Sequence, residues 1–419
     1  MTWCLMVLPV LFGNVKPVLP ARVGETSRHG TFIPSTSRFQ GAVTPAGYGL
    51  LMARIHERNA VLSLGRRLRS ELARGLPAAW DLGQPSAPRL GAPFAIGWVL
   101  EALDPPRTRL EVRLGKRARQ VWMAWGRAAG WTYDPLDSDL GEDADDLAMV
   151  LRLLGRRALR AIPGEEDRLR ALLTLNRLEP GRYRTWLVPS REEMGATDRR
   201  RYSGDRPDHD EVVANLLEAM LCFAPVQARR EVEAGAEHLI TRLQDGLLAS
   251  AWYPGWGYGT WRLLELTSRL ARGDRVWTAR HRHVALGAVR AIARLPRRGG
   301  LWLAGPAPGV LARHGEPGGW PCDRPSVHET AWVLGCLSRA PATRAVLALE
   351  AAGRRALLDS LRKGLVSEPA WVTDGPACHA ARDLTLAVVW RALVPGTDEG
   401  CRIGPPSRTM GRRSRKEHV

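Results

Sequence analysis

The stretch GEDADDLAMVLRLLG, residues 141–155, changes character at one step. Glu142, Asp143, Asp145 and Asp146 crowd the front of it, and behind them the chain is almost wholly apolar at helical spacing. A helix apolar on nearly every side is enclosed by protein, whereas a helix with one polar stripe lies at a surface. The next helical run, residues 165–178, is of the second kind: EEDRLRALLTLNRL is amphipathic and rich in arginine. One enclosed helix and one surface helix make a hairpin.

That hairpin recurs along the chain. Long amphipathic helices are expected at 54–76, 109–129, 165–178, 228–243, 278–295 and 342–362, and shorter apolar ones at 92–103, 146–155, 211–223, 260–271, 328–339 and 381–393. Apolar residues recur at i, i+3, i+4 and i+7 through most of the chain, and no convincing alternating strand interrupts them. Six outer and six inner helices close most simply into an all-α fold, an (α/α)6 barrel or toroid forming a single large domain over residues 46–395. Residues 1–45 read as an apolar, irregular N-terminal segment. Residues 396–419, which include GRRSRK at 411–416, read as a basic disordered tail.

The loops leading into the inner helices are rich in Gly and Pro and carry Trp80, Trp131, Trp186, Trp252, Trp256, Trp302, Trp320 and Trp371. Consecutive inner helices of such a barrel run parallel, so these loops gather at one end with six helix N-termini and their unpaired N–H groups. A formal net charge of +18 would suit an anionic partner. The excess is scattered arginine, however, with lysine only at 16, 116, 363 and 416. That dispersion argues against a specific nucleic-acid site. Cysteines at 4, 222, 322, 336, 378 and 401 show no CxxC spacing and read as reduced thiols of a cytoplasmic protein. The opening WCLMVLPVLFGNV has no basic n-region and is too short to cross a bilayer.

The acidic cluster admits two readings. Structurally, Asp143 makes an N-cap, and Asp145 and Asp146 complement the helix dipole. Chemically, four carboxyls within one turn cannot all ionise cheaply, so one keeps its proton and the titrations are coupled. A protonated carboxyl aimed into an apolar chamber is a general acid strong enough to protonate an alkene. The carbocation that results needs dry, aromatic surroundings.

The spacing Asp143-Ala-Asp145-Asp146 resembles the DxDD motif of the class II terpene cyclases, the squalene-hopene cyclase type. DEVVANLLEAM (210–220) is similar to the family's next inner helix, WYPGWGYGTW (252–261) to its tyrosine- and glycine-rich YGT segment, and EPGGWPCDRPSVHETAWVLGCL (316–337) to its QW motif. The order of these pieces follows the family's acid-bearing domain over about residues 90–395. Leu147 stands where the family usually has Thr, and the QW element lacks its glutamine. The resemblance implies that Asp145 donates a proton to a linear isoprenoid, a polyene or prenyl diphosphate. Asp143, Asp146 and Asn215 would hold the acid and tune it. Trp131, Trp256, Tyr258, Trp261 and Trp320 would line the chamber. It implies no cofactor. A second helical domain or a homodimer partner would close the chamber, and a greasy substrate would bring the protein to the inner membrane surface.

Two alternatives stay open. One is a catalytically silent barrel that binds a prenyl lipid or a protein partner. The other is a zinc barrel resembling the lanthionine synthetase C-like cyclases or the protein prenyltransferases, with Cys322, Cys378 and His379 as ligands. Asp208, His209 and Asp210 are expected to cap the helix bearing Asn215, or His209 to relay protons to Asp145. His328 and Glu329 open another inner helix with the same ambiguity. No DDxxD, phosphate-cradling glycine loop or GxSxG elbow occurs. Departure of a diphosphate is therefore not the expected initiating step.

Overall fold

The structure is a computed structural model. It describes residues 92–103, 108–113, 115–116, 130–131, 141–160, 165–190, 207–224, 226–253, 255–304, 324–363, 369–372, 378–380 and 382–393. The chain divides into a unit of residues 1–55 and a unit of residues 56–419, and every described residue belongs to the second. The expected N-terminal segment, the helix at 54–76, most of the helix at 109–129 and the basic tail lie outside the described residues.

Six apolar helices form the inner ring: α1 (Ala92–Leu103), α2 (Ala144–Arg160), α4 (Asp210–Phe223), α6 (Gly257–Leu270), α8 (Val327–Arg339) and α10 (Arg382–Leu393). Each packs on the next in that order, and α10 packs back on α1, so the ring closes. Outside it lie α3 (Glu165–Leu175), α5 (Arg229–Thr241), α7 (Arg275–Arg294) and α9 (Arg344–Arg362). The last three each bridge two neighbouring inner helices, while α3 lies on α2. This is the α/α toroid anticipated above.

The two helix classes differ in burial as their patterns require. On α2, Leu147, Ala148, Met149, Val150 and Leu151 are all fully buried, so every side of that helix meets protein. Burying a leucine of this kind contributes about 2 kcal/mol. On α5, only Val232, Gly235, Ala236 and Leu239 are buried, one stripe of the helix. Two of the outer helices start on polar caps. The Asp274 side chain accepts from the Trp277 N–H ahead of α7 at 3.0 Å, and Thr343 accepts from Val346 ahead of α9 at 3.2 Å.

The loops contain what alternation could not reveal. Strands of two to four residues pair antiparallel as β1 (Glu142–Asp143) with β4 (Trp186–Leu187), β2 (Arg177–Glu179) with β3 (Arg182–Tyr183), β5 (Arg297–Arg298) with β6 (Leu301–Trp302), and β7 (Pro369–Val372) with β8 (Cys378–Ala380). Strands this short show no period. At the β2–β3 turn, Gly181 has φ +75°, and a Cβ there would lie 2.0 Å from the backbone nitrogen of Gly235. The turn can therefore lie directly on α5.

Among the described residues, no helix is long and apolar enough to cross a membrane. No group of three or more His, Cys, Asp or Glu among them could hold a metal ion. Of the proposed zinc ligands, Cys378 and His379 lie on β8, and Cys322 falls outside the described residues.

Candidate active site

The acidic cluster begins α2 two residues earlier than its apolar run suggested, so its aspartates form the first turn themselves. Asp143 precedes the helix, and its Oδ1 accepts from the Asp146 N–H at 2.8 Å. The Asp143 backbone N–H donates to Trp131 O at 2.9 Å, and the next N–H, that of Ala144, donates to Thr185 O at 2.8 Å. These bonds fix the entry of α2. Asp145 is then turned inward and is only 8% exposed, so it does not face bulk water.

Two side chains hold the Asp145 carboxyl. The Asn215 Nδ2 on α4 donates to Oδ1 at 2.5 Å, and the Tyr253 hydroxyl, from the loop before α6, donates to Oδ2 at 2.5 Å. The orientation of the Asn215 amide follows from its other neighbour. Arg152 Nη1 donates to Asn215 Oδ1 at 2.5 Å, and a guanidinium can only donate. The amide oxygen must face Arg152, so the NH2 must face Asp145. Neither partner of Asp145 is charged.

Burial drives the Asp145 carboxyl above its ordinary range. The Tyr253 and Asn215 hydrogen bonds and the more distant Arg262 and Arg152 charges pull it back in part. Burial likewise pushes Asp143 up to about 7, with the charge of Asp145 adding to it. Proton retention was argued above from crowding of carboxylates. The leading cause is desolvation, because the first turn of α2 is packed inside protein.

Other carboxyls at this end behave in the same way. On α4, Glu211 Oε1 accepts from the Ser250 hydroxyl at 2.9 Å and from the N–H groups of Ala251 and Trp252 at 2.7 and 3.0 Å. Burial raises it to about 7. On α8, Glu329 accepts from the N–H groups of Trp256 and Gly257 at 3.1 and 3.0 Å, and burial raises it to about 8. Ser326-Val-His-Glu329 has the capping-box pattern, and Ser326 does accept from the Glu329 N–H. The Glu329 side chain, however, reaches sideways to the start of α6. Gly255, at φ +83°, makes room: a Cβ there would lie 2.4 Å from Glu329 Oε2. First-turn carboxyls thus knit adjacent N-termini together.

Aromatic rings fill the centre. Tyr253 stacks on Tyr258 with centroids 3.8 Å apart, and Trp332 meets both edge-on at 5.9 and 5.4 Å. Trp98 on α1 meets Trp261 on the diametrically opposite α6 at 5.2 Å. That contact crosses the middle of the ring. Arg262 Cζ lies 4.9, 5.4 and 4.6 Å from the rings of Trp98, Tyr258 and Trp261.

The remaining expected residues separate. Tyr258 and Trp261 belong to this cluster. Trp256 contributes its N–H to Glu329. Trp131 is buried in the loop layer with Arg168 of α3 over its ring at 5.8 Å. Trp320 lies outside the described residues. His209 occupies the N-cap of α4 but makes no capping bond through its side chain. Its Nδ1 pairs with the Thr185 hydroxyl at 2.8 Å, and its ring meets Trp252 at 5.1 Å. Asp208 and Asp210 pair with Arg182 and Arg242. His328 stacks on Trp332 at 5.4 Å. Sequence reasoning missed Tyr253, Arg152 and Arg262. The only signal for the tyrosine was the WYPGWGYGTW stretch, which holds two.

No family model and no curated protein matches the chain. Its fold does match solved structures. It is similar to the type II terpene cyclase MstE from Scytonema, in a variant bound to geranylgeranyl dihydroxybenzoate, with a TM-score of 0.58, 16% identity, and 81% of this chain and 98% of that chain covered. The apo form of MstE gives 0.57 at 17% identity, covering 80% and 97%. A protein from Actinoplanes gives 0.50 at 18% identity, covering 72% and 89%. The chain thus has the α/α-toroid fold of the class II terpene cyclases.

Proposed function

We propose that the protein is a class II terpene cyclase that starts the cyclisation of a linear prenyl substrate by protonating an alkene, with Asp145 as the general acid. The observation that carries this reading is a buried carboxyl, raised by desolvation and held only by neutral donors. An ion-paired aspartate would stay ionised. This one keeps a proton to give.

Asn215 and Tyr253 each occupy one lone pair of the carboxyl, leaving the acidic proton on another. The alkene π pair takes that proton and forms the new C–H bond. The cation forms on the more substituted carbon, the next double bond attacks it, and loss of a proton ends the sequence. The Asp145 carboxylate left behind is stabilised by the same two donors and by the Arg152 and Arg262 charges. The Tyr258, Trp261, Trp98 and Trp332 faces supply aromatic surroundings for positive charge. No metal or organic cofactor is needed for these steps.

The substrate reading draws on MstE, which is solved with geranylgeranyl dihydroxybenzoate and is spanned over 98% of its length. That coverage supports a single toroid as sufficient, without a second helical domain. The test is incubation of purified protein with geranylgeranyl substrates, followed by mass spectrometry. A product isomeric with its substrate, lost in Asp145→Asn while the helical circular dichroism is unchanged, is the expected result. Undiminished turnover in that variant refutes the assignment. Inertness of the wild type with measurable prenyl binding would leave a lipid-binding barrel.

A further inference from the structure

The outer helix α7 differs from the other described outer helices in charge. Glu165, Glu166 and Asp167 lie in α3, Glu231, Glu233 and Glu237 in α5, and Glu350 and Asp359 in α9. Arginines of those helices pair close to home, Arg168 with Glu165, Arg229 with Glu233 and Arg362 with Asp359. Between Asp274 and Glu316 the chain carries no acidic residue, and α7 falls wholly inside that interval. Its buried stripe runs through Trp277, His281, Ala288 and Ile292. At about 100° per residue, Arg275, Arg282, Arg290 and Arg294 fall on the opposite side, within a sector of about 120°. All four are exposed. Arg280 is the one arginine of α7 that meets a carboxylate among the described residues, Glu237 of α5.

The stripe extends along a helix about 30 Å long. Guanidinia gathered on one face repel, most directly Arg290 and Arg294, one turn apart, and salt screens them only in part. An array of anions outside the chain removes that repulsion. The ground between the arginines is apolar: Ala279, Leu286 and Ala293 lie among them, and Val276, 61% exposed, stands beside Arg275. A surface with phosphates over an apolar layer suits both features. The guanidinia reach the phosphates while the alanines, leucine and valine face the head-group boundary. A second copy of the chain would set arginine against arginine. A nucleic acid would find no exposed amide or hydroxyl side chain on α7 to read its bases.

We propose that the outer face of α7 is a docking surface for an anionic lipid bilayer, with Arg275, Arg282, Arg290 and Arg294 on its phosphates. The helix lies along the surface, and none of the described helices is long and apolar enough to cross it. Docking of this kind needs no turnover, so it is tested apart from the cyclase reading.

The experiment is co-sedimentation of the full chain with vesicles of phosphatidylcholine alone and of equimolar phosphatidylcholine and phosphatidylglycerol. Binding to the second only, weakening as salt is raised, is the expected result. Each arginine at such a surface contributes about fivefold to partitioning. Replacing Arg282, Arg290 and Arg294 together by Gln should therefore lower it about a hundredfold, and Arg290→Gln alone about fivefold. An unchanged circular dichroism spectrum checks the fold of each variant. Replacing Arg230, Arg344 and Arg355 by Gln removes the same charge from exposed positions of α5 and α9, and should lower partitioning no more than about fivefold. An equal loss in the two triple variants would assign the attraction to net charge and overturn the docking face. Equal binding to both kinds of vesicle, or binding to neither, overturns it as well. Binding to mixed-sequence duplex DNA at a salt concentration that releases the vesicles would put a nucleic acid in place of the bilayer.

Discussion

The two ends of the inner ring use the same residue type to opposite effect. At the N-terminal end, Glu329 is buried among backbone N–H donors, and desolvation carries it up to about 8. Toward the C-terminal end of the same ring, Glu265 is equally buried, and desolvation pushes it upward too, but the charges of Arg339, Arg262 and Arg269 overcome that and hold it down at about 2. Glu101 and Glu218 share the second environment. Arg152 Nε pairs with Glu101 at 2.7 Å and its Nη1 with Glu218 at 3.0 Å, while Arg269 also pairs with Glu218 and Arg391 with Glu101. Burial alone does not set the protonation of a carboxyl. Whether its donors are neutral or charged decides it. Glu211 and Glu329 at one end are held by neutral donors and kept protonatable by burial, whereas Glu101, Glu218 and Glu265 toward the other are held in ion pairs.

Moving a donor or an acid from one regime to the other tests this contrast. The largest expected effect is on turnover: Asp145→Asn should lower product formation by at least about a thousandfold, because an amide cannot supply the proton. Product analysis at matched protein concentration measures it. At the ion-paired end, Arg152→Met strips Glu101, Glu218 and Asn215 of a shared donor. Breaking a buried pair from one side costs about 3–5 kcal/mol, read by urea unfolding. A loss under about 1 kcal/mol would mean those charges are solvated.

Tyr253→Phe sharpens the comparison at the acid itself. It removes a hydrogen bond that favours the Asp145 carboxylate, so the acid becomes weaker. Turnover should fall about tenfold and the basic limb of the pH–rate profile should move to higher pH. A rate loss with an unmoved profile would assign the tyrosine a packing role only.

The smallest effect concerns stability against pH. Asp143, Glu211 and Glu329 are raised on folding to about 7, 7 and 8, so between pH 5 and 8 the folded state binds more protons than the unfolded one. By linkage, stability contributed by these groups is present at low pH and is lost as the pH rises through those values. Melting temperature should therefore decline from pH 5 to 8. Glu329→Gln, which cannot lose a proton, should flatten the decline by a few degrees. A melting temperature that climbs over that range would reverse the sign of the argument.

Much of this architecture was legible in the chain. The inner helices expected at 211–223, 260–271 and 328–339 lie at Asp210–Phe223, Gly257–Leu270 and Val327–Arg339. Enclosure imposes apolarity on every side, and that is written residue by residue. The early start of α6 was hidden because GYGT reads as a turn, whereas Gly257 is there for close approach to Glu329, with which a Cβ would collide, and Gly259 for close approach to the Leu248 carbonyl. A place for Asn215 beside the acid was implied only by the resemblance of DEVVANLLEAM to the family's next inner helix. Its hydrogen bond to Asp145 follows from two neighbouring parallel helices.

The sequence by itself determined the alternation of enclosed and surface helices, the sixfold count, and the location of the carboxyl cluster at one helix start, because each is a local pattern governed by helical period and solvation. Only the tertiary structure decided that Tyr253 and not Tyr258 reaches Asp145, that Arg262 meets Trp98 across the ring, and that Glu101, Arg152 and Glu218 form one ionic chain. Those partners stand far apart in the chain, and no periodicity along it encodes which side chains meet once the ring has closed.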